Sequence, residues 1–256
     1  MQAKKLVPLL ILFCWLAGCV TTEKPVFTAD TSKEKAINSR VDLALNYLRK
    51  GDPESARRNL KAALKIDPKS PQVHDAFGVV FTKEGEPEIA ESHYKKAIAY
   101  DPSYSKARNN YAAFLYEQKR YKEAMKQLKI VADDQLYKER LRAFGNLGQV
   151  ALKLGDTETA ENAFKRALKM QRKYSPAMLE LAIINFDRGE LDVAQRYYSQ
   201  FKSLSKQSPR ALLFGIRLAE AQNDRSAKAS NALALKNLYP NSKEYQRFKS
   251  GSYNQE

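Results

Sequence analysis

Between residues 37 and 242, apolar residues recur at the three- and four-residue spacing of amphipathic helices. A longer period lies over this spacing, because small residues return at intervals of 34 to 36 positions. Segments that contain glycine or proline interrupt the apolar stripes at the same interval, so the region divides into pairs of helices. The small residues that mark the longer period are Ala56, Ala90, Ala124, Ala160 and Ala194.

A 34-residue period is that of the tetratricopeptide repeat, a pair of antiparallel helices joined by a short turn. Gly85 and Gly155 fall at the predicted turns, where the third copy carries Lys119 instead. Gly78 and Gly148 are predicted to let the two helices of a unit approach closely. The pattern therefore predicts an all-α, right-handed superhelical solenoid of about six repeats. We place the copies at residues 37–70, 71–104, 105–138, 141–174, 175–208 and 209–242.

One internal position and the C-terminal end of the array depart from the period. Glu139 and Arg140 are additional to it, and they predict either a longer loop or a change of superhelical curvature between the third and fourth repeats. Residues 243–256 are mostly polar and predict a C-terminal tail outside the array.

A short apolar run near the N-terminus follows Lys4 and Lys5 and is too short to span a bilayer as a helix. A positive segment, an apolar segment and small residues are typical of a secretory signal peptide. The run ends in Leu16-Ala17-Gly18-Cys19, which resembles the bacterial lipobox. That resemblance implies a signal peptide over residues 1–18 and lipid attachment at Cys19; the alternative is an ordinary secreted protein in which Cys19 is incidental.

Residues 19–36 lack an apolar period and predict a flexible tether between the lipidated cysteine and the array. No aspartate lies among Val20, Thr21 and Thr22 directly after the cysteine. By resemblance to the sorting signals of Gram-negative lipoproteins, this composition favours the outer membrane, with the array facing the periplasm.

No catalytic or metal-binding pattern is evident. His74 and His93 are the only histidines, and neither has metal-ligand spacing. We expect both to be structural, and we expect no enzyme activity, cofactor or metal. The net charge of +15 favours an acidic partner or an anionic lipid or cell-wall surface over nucleic acid, for which no motif is present. The simplest alternative is that Lys and Arg only cover the outer helix faces.

Arrays of this kind bind other proteins through a concave surface. In tetratricopeptide repeats the first helix of each unit lines that surface, and several of its positions are apolar without being needed for the core. They would suit a hydrophobic or amphipathic segment of a partner. The groove residues predicted in this way are Leu45, Val79, Asn109, Ala113, Tyr116, Gln149, Ile183 and Phe186.

The lipobox, the tether and six repeats together resemble the PilF/PilW family of type IV pilus biogenesis lipoproteins. The segments AFGNLGQVALKLGDTETAENAFKRA (143–167) and SPAMLELA (175–182) are especially similar to that family. The resemblance implies a role in fimbrium assembly and twitching motility as a pilotin. Such a protein promotes localisation and multimerisation of the type IV pilus secretin, the ring protein of the outer membrane.

Two other functions in the same compartment remain open at this stage. One is a repeat lipoprotein of the outer-membrane β-barrel assembly machinery, and the other is a factor that recruits cell-wall enzymes. Loss of the first would damage many barrel proteins, and loss of the second would alter cell shape or separation. Loss of a pilotin would remove surface pili and spare both.

Overall fold

The computed structural model describes residues 29–253, and within this range the chain forms thirteen α-helices and no strand. The predicted signal peptide, Cys19 and the first part of the predicted tether lie outside the described residues. The helices are α1 (Ala29–Arg49), α2 (Pro53–Leu64), α3 (Pro71–Glu84), α4 (Pro87–Tyr100), α5 (Ser105–Glu117), α6 (Tyr121–Asp133), α7 (Arg140–Lys153), α8 (Thr157–Met170), α9 (Ser175–Asp187), α10 (Leu191–Leu204), α11 (Pro209–Ala221), α12 (Arg225–Leu238) and α13 (Lys243–Lys249).

The first twelve helices form six antiparallel pairs, as the period predicts, and the all-α repeat fold is confirmed. The first helices of the second to sixth pairs begin at or within one residue of the predicted starts. Aspartates fix the start of several second helices by accepting the N–H of the residue three positions later. These caps are Asp52 to Ser55, Asp156 to Thr159 and Asp224 to Ala227.

The turns within the pairs require a left-handed residue, and glycine occupies most of them. Gly85 has φ +79° at the end of α3, in a conformation that side chains disfavour. At the equivalent turns of the third and sixth pairs, Lys119 adopts φ +60° and Asn223 adopts φ +58°. The third repeat therefore keeps the same turn without a glycine, and Lys119 adopts the strained left-handed conformation there.

The predicted close approach inside a pair is confirmed at Gly148 of α7. A methyl group there would lie 2.5 Å from the ring of Phe164, which is itself almost fully buried in α8. Gly78 and Tyr94 repeat this arrangement in the second pair. The alternation of small and large residues thus sets the distance between paired helices.

The array has an inner and an outer face. First helices contact one another across several repeat junctions, whereas each second helix packs on the first helix of the next repeat. Because the first helices lie closer together, the array curves with α3, α5, α7, α9 and α11 on the inner face and with α4, α6 and α8 on the outer face.

The N-terminal boundary of the array differs from the prediction. Helix α1 begins at Ala29, eight residues before the predicted start at residue 37, so residues 29–36 are helical rather than a flexible tether. Residues 31–36 are exposed and Ile37 is the first buried position. Lys, Glu and Ala in this segment favour a helix without core contacts, and such a helix has no apolar period. Within residues 29–253, no helix combines the length and apolarity needed to cross a membrane.

The C-terminal prediction is wrong for residues 243–253, which form α13 and a short ordered segment rather than a polar tail. Helix α13 packs on α11 and α12. Tyr253 is buried, and its hydroxyl donates to Glu220 Oε2 at 2.9 Å. Phe248 and Tyr253 cover Leu212 and Ile216, which the last repeat would otherwise expose. A few aromatic residues within a polar segment are sufficient for a cap.

Of the two extra residues at the third junction, Glu139 ends the loop 134–139 between α6 and α7, and Arg140 is the first residue of α7. The loop has six residues, compared with four between α4 and α5 and four between α8 and α9, so it is longer than these two. The loop between α2 and α3 has the same length.

Candidate functional site

The inner face carries three clefts that share lining residues and form one continuous groove, which we call the inner groove. A cleft of about 290 Å³ lies between α5 and α7 and shares Tyr116 and Gln149 with the next one. That second cleft, of about 840 Å³, reaches α9 and α11. It shares Ile183 and Arg210 with a third cleft of about 160 Å³, which is closed by α13. The groove therefore runs from the third repeat to the C-terminal cap.

Four of the predicted groove residues line the inner groove: Ala113, Tyr116, Gln149 and Ile183. Three others are partly buried packing residues. Leu45 packs against the buried core of the first two repeats, and Val79 packs against the buried core of the second to fifth repeats. Phe186 lies edge-on to Phe214, with the Arg217 guanidinium 5.0 Å from its ring centre.

The prediction that Asn109 is an exposed groove position is wrong, since only 1% of the residue is exposed. Its Oδ1 accepts a hydrogen bond of 3.1 Å from Asn146 Nδ2 on the next first helix. The helical spacing placed the residue on the inner side but could not identify the neighbour that covers it.

Asn109 belongs to a series of polar contacts that connects successive first helices, and we call this series the inner-face ladder. Each contact joins residues that are 30 to 37 positions apart, so each crosses one repeat junction. The ladder links the second to the sixth repeat through Asp75–Asn110, Asn109–Asn146, Gln149–Glu180 and Glu180–Arg210.

The repeat period does not predict this ladder, although the sequence carries one signal of it. Glu180 is the single charged residue in the apolar segment 176–186 of α9. A carboxylate at such a position requires partners, because burial without them is costly. The partner residues could not be found from period alone, since the contacts join different residue types at different spacings.

Glu180 is the centre of the ladder at the widest part of the groove. Only 4% of the residue is exposed. Arg210 donates to both of its carboxylate oxygens, at 2.5 and 2.9 Å, and Gln149 donates to Oε1 at 2.9 Å. A bidentate guanidinium pair is strong and fixes geometry. The wall of the groove is therefore rigid where α7, α9 and α11 meet.

Asp75 begins the ladder with a different kind of partner. The Asn110 amide donates to both carboxylate oxygens, at 3.0 and 3.1 Å, but it brings no positive charge. Burial raises the pKa of the Asp75 carboxyl to about 6, although the Asn110 hydrogen bonds and then Lys106 and Arg142 oppose the rise. This carboxylate therefore changes protonation in the mildly acidic range.

The two histidines form a pair against the aromatic residues of the second repeat. Their Nδ1 atoms lie 3.0 Å apart, and His74 Nε2 lies 3.1 Å from the Pro68 carbonyl oxygen. Burial is the main cause that lowers the pKa of both, that of His93 to about 4, so both rings are neutral at pH 7. Among residues 29–253, no three His, Cys, Asp or Glu side chains are grouped as a metal site.

The sequence of this chain is similar to those of known repeat proteins. Tetratricopeptide-repeat models match residues 37–70, 81–143 and 146–209. The type IV pilus assembly protein PilF of Pseudomonas aeruginosa is 41% identical over 240 residues, which cover 93% of this chain and 95% of that protein.

Solved structures agree with the sequence comparison. The P. aeruginosa PilF structure superimposes with a TM-score of 0.80 over 86% of this chain and 99% of that one. The structure of PilW, described as a widely conserved type IV pilus biogenesis factor, has a TM-score of 0.74 at 27% identity, over 83% and 98% of the two chains.

Proposed function

The chain belongs to the PilF family of type IV pilus assembly proteins, and from this premise we propose that it is an outer-membrane pilotin. It is anchored by lipid at Cys19 and promotes localisation and multimerisation of the pilus secretin. The family membership, the lipobox-like Leu16-Ala17-Gly18-Cys19 and the groove support this assignment together.

The single observation that carries the mechanism is the continuous inner groove. A groove that spans several repeats suits an extended or helical segment of another protein. Its lining combines the apolar Tyr116 and Ile183 with the polar Gln149 and Arg210, so an amphipathic segment fits it best. The bound segment would be kept from aggregating until the secretin subunits assemble.

The role is that of an adaptor and not of an enzyme. The repeat array supplies binding surface, and the buried Asp75, Asn109 and Glu180 are used between helices in the inner-face ladder. The lipid supplies the location, since two or more acyl chains hold a protein stably in a bilayer.

The first experiment separates the inner and outer membranes of a strain that lacks this protein and detects secretin multimers by blotting. We expect the multimers to disappear from the outer membrane while unrelated barrel proteins remain. Unchanged multimers would refute the pilotin function. A general loss of barrel proteins would favour barrel assembly instead, and altered cell shape would favour cell-wall recruitment.

A substitution tests the groove separately. Ala113 is exposed on α5 in the inner groove, so Ala113→Glu adds bulk and charge there without entering the core. We expect it to reduce secretin multimers several-fold. Ala99→Glu, at an exposed alanine in an outer cleft, is the matched control and should leave them unchanged. Equal effects of the two variants would contradict a role for the groove.

A further variant tests the anchor. Cys19→Ala should fold but no longer fractionate with membranes, because it lacks the thiol to which lipid is attached. Continued tight association of this variant with the outer membrane would refute lipid anchoring at Cys19.

A further inference from the structure

The outer face carries a cleft of about 570 Å³ between α6 and α8, separate from the inner groove. Phe144 and Leu147 of α7 form its apolar floor. Its rim is strongly basic, and among the described residues Asp133 is the one carboxylate that lines it. Of the basic residues, Lys165 is paired with Glu161 beside the cleft. The basic lining residues are Lys129, Lys165, Arg166 and Lys169.

Two guanidinium groups lie near the ring of Phe144 in the cleft floor. Arg140 lies 5.3 Å from the centre of the ring and Arg166 lies 5.5 Å from it. The ring stabilises each cation. Arg140 is also held by donating from Nε to the Ala132 carbonyl oxygen at 2.8 Å, whereas Arg166 itself lines the cleft.

A neighbouring outer cleft shows that the excess charge is not general. The cleft of about 390 Å³ between α4 and α6 is lined by Lys95, Lys126 and Glu123. There Lys95 is paired with Glu91, and Glu123 is paired with Arg120. In its lining, the cleft between α6 and α8 thus has one carboxylate for four cations, whereas its neighbour has one for two.

Exposed apolar residues lie next to or close to residues of this cleft along the chain. Leu136 in the adjoining loop is 91% exposed, Ile130 next to Lys129 is 43% exposed, and Met170 next to Lys169 is 49% exposed. The loop that carries Leu136 is held in place, because the Leu136 N–H donates to Asp134 Oδ1 at 2.9 Å. Asp134 Oδ2 in turn accepts from Ser105 Oγ at 2.5 Å.

We propose that this surface, formed by the cleft between α6 and α8 and by Leu136, binds the anionic headgroups of a phospholipid bilayer. The phosphate lies among Lys129, Arg166 and Lys169, and Leu136 enters the interface. Basic residues beside exposed aliphatic ones are typical of interfacial membrane contacts. A protruding leucine finds apolar surroundings in a bilayer without a matching pocket, whereas a protein partner would have to supply one.

This contact goes beyond the proposed lipid anchor, because it would orient the array. With the outer face on the membrane, the inner groove faces away from it and remains open to a partner. Neither the anchor nor the pilotin function is needed for the contact itself.

The test places a fluorescent reporter at the tip of the loop. Leu136→Trp in the full chain is mixed with phosphatidylcholine vesicles, with or without phosphatidylglycerol. We expect a blue shift and quenching by brominated lipid only with phosphatidylglycerol. Leu238→Trp, at a 64% exposed position on α12, is the matched reporter and should show neither. Both chains also carry Trp15→Phe, which removes the sole native tryptophan, so the introduced tryptophan alone gives the signal.

Charge-matched variants test the cleft in the Leu136→Trp chain. Lys129→Gln, Arg166→Gln and Lys169→Gln together should abolish the phosphatidylglycerol-dependent shift. Lys95→Gln, Lys96→Gln and Lys126→Gln remove the same charge elsewhere on the outer face and should preserve it. An equal loss of the shift in both triple variants would mean that only the net charge matters. That result would overturn the proposed site.

Other outcomes identify other ligands. An unshifted signal from the Leu136→Trp reporter on vesicles that contain phosphatidylglycerol overturns the proposal, even if the N-terminus holds the chain to them. A response to inorganic phosphate alone, without the vesicle-dependent shift, would assign the cleft to a soluble anion. A blue shift with a soluble acidic peptide and none with vesicles would assign it to a protein partner.

Discussion

The inner-face ladder contains two buried carboxylates that have different kinds of hydrogen-bond partner. Asp75, between the second and third repeats, is bonded by a neutral amide, and its pKa is raised to about 6. Glu180, between the fourth and sixth repeats, is held by the Arg210 guanidinium and the Gln149 amide. Equivalent faces of one repeat architecture can therefore hold either a fixed charge or a charge that responds to pH, depending on the partner.

The largest expected effect comes from removing the cation at Glu180. Arg210→Met leaves a buried carboxylate with only the Gln149 amide, which costs stability because a buried charge has lost its partner. We expect a loss of about 2 to 3 kcal/mol in urea unfolding, less than for a fully buried pair because half of the Arg210 side chain reaches water.

The double variant Glu180→Met with Arg210→Met is the control, since it leaves no orphaned charge. It should be more stable than the single variant. If the single variant is the more stable of the two, Glu180 does not depend on Arg210 and the contrast with Asp75 fails.

The next largest effect concerns Asp75, the carboxylate whose charge responds to pH. The folded pKa of Asp75 is raised from 3.8 to about 6, so the folded state takes up a proton first as pH falls. Stability from this group is fully present below pH 3.8 and is lost as pH rises through 6. Relative to Asp75→Asn, the wild type should gain about 2 kcal/mol between pH 7 and pH 4.5.

Urea unfolding of both proteins at several pH values measures this gain. Asn110, Lys106, Arg142 and Glu139 surround the carboxyl and are unchanged in the variant. A stability difference between the two proteins that does not vary with pH would show that Asp75 keeps an ordinary pKa.

A smaller effect of opposite sign comes from the histidine pair, which begins one residue before Asp75. The folded pKa of His93 is lowered from 6.5 to about 4, so its contribution to stability is present above pH 6.5 and is lost as pH falls toward 4. His93→Phe retains a ring against Phe77 and Phe81 but removes the titration.

Relative to this variant, the wild type should lose about 1 kcal/mol between pH 7 and pH 4.5, since the ring is only half-buried. The same unfolding series measures it. A gain in relative stability toward acid would mean that the pair is protonated at neutral pH.

The smallest effect compares the turns of the two halves of the array. Lys119→Gly and Asn223→Gly place glycine where φ is positive, and each should stabilise the protein by about 0.5 to 1 kcal/mol. Because the ladder joins the second to the sixth repeat, both should shift one common unfolding transition. Separate shifts of two transitions would show that the halves unfold independently.

The fold could be predicted almost completely because its signals are local and repeated. The start of α5 at Ser105 and the turn at Gly85 follow from a period that every unit repeats. The ends of the array were harder to predict. Tyr253 belongs to no repeat and is buried because it packs over the apolar face of the last helix pair. A single residue of that kind carries no periodic signal.

The groove could be predicted only in part. Ala113, Tyr116, Gln149 and Ile183 line it because helical spacing determines which side of a helix faces inward. Whether an inward residue is open to a partner depends on the neighbouring unit, as Asn146 shows by covering Asn109. The basic outer cleft was also beyond prediction, since it requires Lys129 of α6 and Arg166 of α8 to line the same cleft.

The ladder also restricts how this array could have changed in evolution. Repeat proteins commonly lengthen or shorten by duplicating or deleting whole units, which is harmless when every junction is alike. Here each junction from the second repeat to the sixth has its own pair of side chains, from Asp75 with Asn110 to Glu180 with Arg210. A duplicated or missing unit would set unmatched polar groups against each other, so the number and order of the repeats are inherited as one block.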